Sequence, residues 1–571
     1  MLIRYWFYFL SAWLLFYPFT TLAYSPPLGI PDPVWDQGLH PIDSLAPAWP
    51  DNWPGLEVPN YFYIDNRHPN ATDENNPFGY PDKPRLSFSQ RNFSAGSYIE
   101  LHGEHAFGRL RKVFNCTATQ PCWLRGSAAK KPVLTGSLEL EASYLFVEHL
   151  DFNGGSNGAI TVMGANSHHV VIRHSSIQNR AYSSHSSGIG MSPFASGKVH
   201  DIIVYNNLFR ELGDWQATDD LDFHGVSAGI VRDSNSELNN IWILENTFYH
   251  LSGNGVQLVA GNWVDSEDYL HHVYIGKNTA HDNRQAGFWS KQASHVILSE
   301  NISYGSREHG LQPGDGMGFQ YGPDNIWFIF NTIYASNSGI RQSDTSFDRY
   351  SDHTAYIIGN LIYDIHPQAG PYYSLPIKPT RTGQAINLWH GIMTRYVLHN
   401  TIYDVHGGIN LIQRGPVFIQ GNIIKNVNSD DAHVSIYNAY DVVQMENNIF
   451  DNNSVEKTKI IWRSTSYFSL AAFIEGIGLC ADCIETDPKF VNAGTNNFQL
   501  EQDSPAIDKE SSLLHEILKK FEILYGINIE KDIQNNPRFA NTISDIGAIE
   551  YQTQEEVPRR RPSPPTNLRA R

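Results

Sequence analysis

The side chains best suited to chemistry concentrate in two stretches. Between His272 and Asp344 lie Trp289, Lys291, Arg307, Gln320 and Arg341. Tryptophan offers a flat face for a sugar ring, and amides and cations can hydrogen-bond hydroxyls and carboxylates. The second stretch, GDWQATDDLDFHGV, holds Asp214, Asp219, Asp220, Asp222 and His224. Its clustered carboxylates, Asp219, Asp220 and Asp222, could bind calcium, although EF-hand spacing is lacking. Asp219 or Asp220 with Asp222 could instead act as acid and base of an inverting hydrolase, which needs a separation of roughly 6.5–9.5 Å. The same residues also suit turns and caps. Asp222 and His224 are the best placed because they abut a strand. His281, Asp282 and Arg284 read as a turn network, and Asp315 in GDGMG is a secondary candidate. No zinc-like pattern, Walker loop or dinucleotide fingerprint occurs in a suitable context.

The elements that position these residues repeat. An Asn-led marker recurs at Asn206, Asn246, Asn278, Asn301, Asn331, Asn360, Asn400, Asn422 and Asn447, with a floor of 22–25 residues between neighbours. Upstream, Val147-Glu148-His149 and Ile172-Arg173-His174 occupy equivalent places. Each unit carries two or three short alternating runs and no helix-length segment, which disfavours βα solenoids. Propeller blades need about 40–50 residues. A coil of 22–25 residues with three strands closes one turn of a parallel β-helix, with coils stacked at ~4.8 Å. The expected fold is therefore all-β, a single-stranded right-handed parallel β-helix with asparagines stacked at a turn. Longer intervals become loops that build a groove.

The repeat also gives a register. Aligning the Gly-apolar openings Gly188-Ile189, Gly225-Val226, Gly255-Val256, Gly287-Phe288, Gly316-Met317, Gly339-Ile340, Ala385-Ile386 and Gly408-Ile409 puts the first apolar residue inward and the next outward. The outward column is then Gly190, Ser227, Gln257, Trp289, Gly318, Arg341, Asn387 and Asn410. Two residues further along, Lys291, Gln320, Ser343 and Trp389 also face out. Gln257, Trp289, Gln320, Asn387 and Trp389 are the candidate ligand-binding residues of an exposed strip.

Composition sets the remaining bounds. A net charge of -18 argues against a general nucleic-acid binder. Residues 1–23 read as a signal peptide: Arg4, an apolar core over 5–18, and Thr21-Leu22-Ala23 as a cleavage site. No later stretch is long and apolar enough to span a bilayer, so the mature chain is expected to be secreted or periplasmic, and monomeric. Cys116 with Cys122, and Cys480 with Cys483, read as two small-loop disulfides in that compartment. Residues 24–60 are Pro- and Trp-rich and should lie extended over the body, anchored by tryptophans. Residues 61–551 form the solenoid with its closing region from about 485. Residues 511–526 carry an amphipathic helix expected over the open end, and 552–571 a disordered tail.

From about 61 to 551 the chain resembles the bacterial right-handed parallel β-helix proteins, the pectate-lyase-like superfamily with its alginate lyase, chondroitinase B and polygalacturonase-like relatives. The closing segments Asp487-Pro488-Lys489-Phe490, Ser504-Pro505-Ala506-Ile507-Asp508 and Asp545-Ile546-Gly547-Ala548-Ile549-Glu550 add to the likeness. The resemblance implies an exported polysaccharide-active enzyme, foremost a lyase on an acidic, uronate-containing polymer. Such lyases use a Lys/Arg pair, sometimes with calcium. Carried onto this chain, Lys291 is the base and Arg341 or Arg307 neutralises the substrate carboxylate, so that the α-proton becomes acidic. An inverting glycoside hydrolase with paired Asp and a non-catalytic carbohydrate-binding β-helix are the alternatives.

Overall fold

A computed structural model describes residues 24–552, apart from 52, 54, 182–184, 218–220, 230–234, 261–268, 307–313, 344–351, 368–382, 390, 413–414, 438–442, 453–457, 510–511 and 540–542. The expected leader (1–23), the expected tail beyond residue 552, Asp219, Asp220 and Arg307 thus lie outside the described residues.

All but two of the described strands form one long, overwhelmingly parallel sheet in which strands pair with the equivalent strand of the next coil; Phe490–Asn492 and Asn497–Leu500 form a separate antiparallel pair. The chain winds through three faces, in the right-handed sense that strand twist imposes on parallel crossovers. The first, the groove face, runs through Phe223–Gly229, Val256–Val259, Ala286–Lys291, Asp315–Gln320, Ser338–Gln342, Gln384–Trp389 and Gly407–Ile412. The second holds Glu237–Leu244, Leu270–Gly276, Ser294–Ser299 and Asp324–Ile329. The third holds Thr247–Leu251, Thr279–His281, Ile302–Tyr304, Thr332–Ser336 and Leu361–Ile365. Inward Val, Ile, Leu and Phe from all three faces fill a single core along the axis, including Val226, Val256, Phe288, Met317, Ile340, Ile386 and Ile409, each at most 1% exposed. Burying such side chains contributes about 1.5–3 kcal/mol each.

The corner between the second and third faces explains the Asn marker. The residue before each ladder asparagine takes a left-handed conformation, as Glu245 (φ 56°), Lys277 (φ 52°) and Glu300 (φ 54°) do. That conformation costs roughly 1–2 kcal/mol for a non-glycine. The following asparagine offsets it: Asn278 Nδ2 donates to Ile243 O (2.7 Å) and to Asn301 Oδ1 (3.0 Å), and its backbone N–H donates to the same oxygen (3.1 Å). The ladder runs Asn207, Asn246, Asn278, Asn301, Asn331, Asn360, Asn400, Asn422, Asn448. Two expected members shift by one residue. In each Asn-Asn pair the first residue, Asn206 or Asn447, occupies the left-handed corner, and the second enters the ladder. The pairs Val147↔Ile172 and Glu148↔Arg173 match as expected.

Residues 24–60 run along the outer side of the second face. Trp53 is fully buried and Trp35 nearly so, in one apolar cluster with Trp123, Phe146, Trp242 and Trp327. Arg173 holds the segment by donating to Pro41 O, Ile42 O and Ser44 O at 2.6–2.9 Å. Trp49 remains 41% exposed and is the weaker anchor.

Helix α1 (Leu470–Ile477) and helix α2 (Ser512–Tyr525) are the two α-helices among the described residues. The expected helix over 511–526 is α2, but it does not cover the open end. Its apolar stripe, Leu514, Ile517, Leu518 and Phe521, packs on the flank of the second face beside the N-terminal segment, with Phe521 edge-on to Trp327 at 4.8 Å. The outward aromatics Trp327 and Tyr356 there need cover more than the coil end does. The C-terminal end of the axial core is instead packed by α1, through Leu470 and Phe473. Both expected disulfides are present, Cys116–Cys122 and Cys480–Cys483, and Asn448 Nδ2 reaches Cys483 Sγ at 3.7 Å.

Candidate functional site

The register expected on the groove face is the one observed. Gly190, Ser227, Gln257, Trp289, Gly318, Arg341, Asn387 and Asn410 pair in one continuous column, and Lys291 pairs with Gln320 beside it. The exposed strip expected there is a correction. Gln257 (3% exposed), Trp289 (6%) and Asn387 (1%) are covered and form a floor, whereas Lys291, Gln320, Arg341 and Trp389 are only partly buried. Trp289 therefore presents no open platform. Its ring lies across the next coil, where a Cβ on Gly318 would collide with it and with the Arg341 carbonyl. Arg341 covers the same ring, with Cζ 5.1 Å from its centroid.

Arg341 is fixed by Asp315, whose Oδ2 accepts from Nε at 2.8 Å and Nη2 at 2.7 Å. The Asp315 side chain is 2% exposed. Burial pushes its pKa up, opposed by the Arg341 charge and the Ser338 hydroxyl. Further along the floor, Asn410 Nδ2 donates to Asn387 Oδ1 (2.9 Å), and Asn254 Nδ2 donates to Gln257 Oε1.

His224 enters at the start of the strand Phe223–Gly229. Its Nδ1 accepts the Asn254 backbone N–H at 2.9 Å, which leaves the ring proton on Nε2. Burial foremost, then the charges of Lys291, His185 and Arg284, hold its pKa down to about 3. The ring is thus neutral near pH 7, and the Lys291 side chain lies close enough to help keep it so.

Asp222 is tied into a cationic and amide network. Arg284 Nη2 stands 3.3 Å from Oδ1, Gln285 Nε2 donates to the same oxygen, and His185 Nδ1 lies 3.6 Å from Oδ2. Arg284 is fully buried. It also donates to Ser252 O (2.7 Å), Ala217 O (3.2 Å) and Leu221 O, clamping the acidic loop to the solenoid. Sequence reasoning placed Arg284 in a turn network and missed that role, along with Gln285, His185 and Asn254. One signal was available: Arg284-Gln285 directly precedes a groove strand, two coils on in the repeat from the strand that follows the Asp-rich stretch 214–222. His281 stands away from the groove, bonded to Asp282 (2.8 Å) and stacked between Tyr249 and Tyr304 on the third face.

The stacked coils define a parallel β-helix. No family model and no curated protein matches the chain. Among solved structures it is similar to the GH136 lacto-N-biosidase from Eubacterium ramulus, with a TM-score of 0.38 and 13% identity over 69% of this chain and 64% of that one. It is also similar to a PL6 alginate lyase in complex with a trisaccharide (TM-score 0.37, 12% identity, 75% of this chain and 94% of that one). A third is pectate lyase Pel9A (0.31, 11% identity, 87% and 98%). The chain thus spans 64% of the length of the lacto-N-biosidase.

Proposed function

We propose that the protein is an exported polysaccharide-active β-helix enzyme that cleaves a uronate-containing polymer by β-elimination. The carrying observation is the pairing of charges in the groove. Arg341 covers the Trp289 ring, Lys291 follows two residues along the same strand with a neutral His224 nearby, and Asp315 and Asp222 are both engaged by cations. Such a face suits an anionic chain despite the acidic whole. Lys291 acts as the base on the proton α to the carboxylate. Arg341, oriented by Asp315, neutralises that carboxylate. His224 offers its Nε2–H as a hydrogen-bond donor to the sugar. Arg307 is a second candidate neutraliser. Asp222 with Asp219 and Asp220 is the candidate calcium site. The solved lyases named above act on alginate and pectate in their titles; their substrates mark the class to screen. The two disulfides fit an oxidising compartment, and no helix among the described residues is long and apolar enough to cross a membrane.

Asp315 favours a second reading, inverting hydrolysis, because burial raises its pKa as a general acid requires. Elimination is preferred because that carboxylate is spent on Arg341. The test is to incubate purified mature protein with a panel of uronate polysaccharides, with and without calcium. Ultraviolet absorbance of the unsaturated uronate and new reducing ends are followed together. Both signals rising supports elimination. Reducing ends without absorbance supports hydrolysis. Retention on an immobilised polymer without either signal supports a binding protein.

A further inference from the structure

Away from the groove, where the chain enters the second face, two neighbouring coils bring imidazoles together. His168 pairs with His200 in the strand register, and the next residue in each coil, His169 (φ 53°) and Asp201 (φ 54°), sits at a left-handed corner. Ligand atoms of His169, His200 and Asp201 all lie within 4.8 Å of one another. His200 Nδ1 is 2.6 Å from Asp201 Oδ2, and His169 Nδ1 is 3.8 Å from the same oxygen. A tetrahedral zinc ion with bonds of about 2.0–2.2 Å sets ligand atoms ~3.3 Å apart. Without an ion, His200 Nδ1 is hydrogen-bonded to Asp201 Oδ2 and His169 Nδ1 to His168 Nδ1 (2.8 Å); a bound ion would replace these two contacts, with only small movements needed to reach ligand separations near ~3.3 Å.

The surroundings are those of a supported ligand set. The other nitrogen of His169, Nε2, faces Asp36 Oδ2 at 3.9 Å, and that carboxylate accepts the Tyr144 hydroxyl at 2.5 Å. Asp201 Oδ1 accepts from Asn240 Nδ2 at 3.3 Å. At 3.9 Å Asp36 is a charged neighbour of the ring, a short movement away from the histidine–carboxylate contact that commonly backs a zinc ligand. Stacking on Tyr144 (4.4 Å) and edge contact with Trp35 (5.1 Å) fix the His169 ring.

We propose that His169, His200 and Asp201 bind one zinc(II) ion, with a fourth position for water, and that Asp36 couples this ion to the N-terminal segment. The ion would act as a staple between residues 24–60 and the solenoid, apart from any chemistry in the groove. Nitrogen-rich ligands select zinc over calcium.

The experiment uses tag-free mature protein. Zinc chloride is titrated calorimetrically, and cobalt(II) is added separately to read its tetrahedral absorption bands. One equivalent of zinc should bind, with calcium producing no heat at the same site, and cobalt should give tetrahedral bands that zinc bleaches. His200→Ala and Asp201→Asn should each weaken zinc at least tenfold. Asp36→Asn should weaken it by roughly tenfold and speed proteolysis within residues 24–60 in the presence of zinc. His271→Ala, at the neighbouring His271–Glu237 contact (3.4 Å), should leave affinity unchanged. Absence of stoichiometric binding and of tetrahedral cobalt bands in the wild type overturns the proposal, whatever the variants do. So does unchanged affinity in both His200→Ala and Asp201→Asn.

Discussion

Replacing Asn301 by alanine should cost far more than its size suggests. Asn301 is fully buried. Its Nδ2 donates to Ile275 O (2.8 Å) and Asn331 Oδ1 (3.0 Å), and its Oδ1 accepts from the Asn278 backbone N–H (3.1 Å) and Asn278 Nδ2 (3.0 Å). Asn331 Oδ1 would keep the Asn301 backbone N–H, and Asn278 Nδ2 would keep Ile243 O. The Asn278 N–H and Ile275 O would lose their side-chain partner inside the core. Each buried orphan costs about 1–3 kcal/mol, and Glu300 would retain its left-handed strain without the compensating ladder. The expected loss is ~3–5 kcal/mol. Because coils contact mainly their neighbours, that loss should appear locally and split the urea transition into two. Urea unfolding followed by tryptophan fluorescence and by far-ultraviolet circular dichroism reads both effects. Asn325→Ala, at a left-handed corner outside the ladder, is the control. A loss below about 1 kcal/mol for Asn301→Ala, equal to that of the control, would refute the view that the ladder stabilises the corner.

The groove and the buried histidines give further tests. Gly318→Ala should displace Trp289 and Arg341 and abolish turnover while the far-ultraviolet spectrum stays unchanged; wild-type turnover would show that the floor does not order Arg341. Arg284→Met should release the loop around Asp222, seen as faster hydrogen exchange over 214–222 and a loss of about 3 kcal/mol; unchanged exchange would remove Arg284 as the clamp. Burial holds His399 down to about 3 and His433 to about 4. Below the ordinary histidine pKa near 6.5 the unfolded chain takes up protons that the folded chain refuses. Stability should therefore be full above pH 6.5 and fall as pH drops toward 4, by about 1.4 kcal/mol per pH unit for each histidine. An unfolding free energy that stays level from pH 7 to pH 5 would contradict that assignment.

The solenoid and its register were legible because a period-two pattern repeated over many coils leaves one alignment that buries every Val226-like position. A slip at one coil would be corrected by its neighbours. The Asn-Asn pairs show the limit: two equal side chains in sequence cannot reveal which one takes the corner. The surface was harder. Trp289 was correctly oriented, but its cover by Arg341 depends on a guanidinium reaching across Gly318 from two coils away, and no local pattern encodes that reach. Arg284 was undervalued for the same reason, since its carbonyl partners come from a loop some 65 residues upstream. The amphipathic stripe of α2 gave its helix but not its site. Only the outward-pointing aromatics Trp327 and Tyr356, far off in sequence and buried beneath α2, specify the flank it covers. The disulfides were readable because each closes a loop too short to pair otherwise.

The central claim is elimination in the groove by Lys291 and Arg341, and isotopic labelling of the products tests it most directly. A uronate polymer that the protein degrades is digested in heavy-oxygen water, and the released oligosaccharides are weighed by mass spectrometry. Elimination breaks the linkage without water, so the account predicts unlabelled, unsaturated products, and none from Lys291→Ala or Arg341→Ala proteins that retain the wild-type fold. Saturated products carrying one heavy oxygen per cleavage, formed equally well by Lys291→Ala, would contradict it.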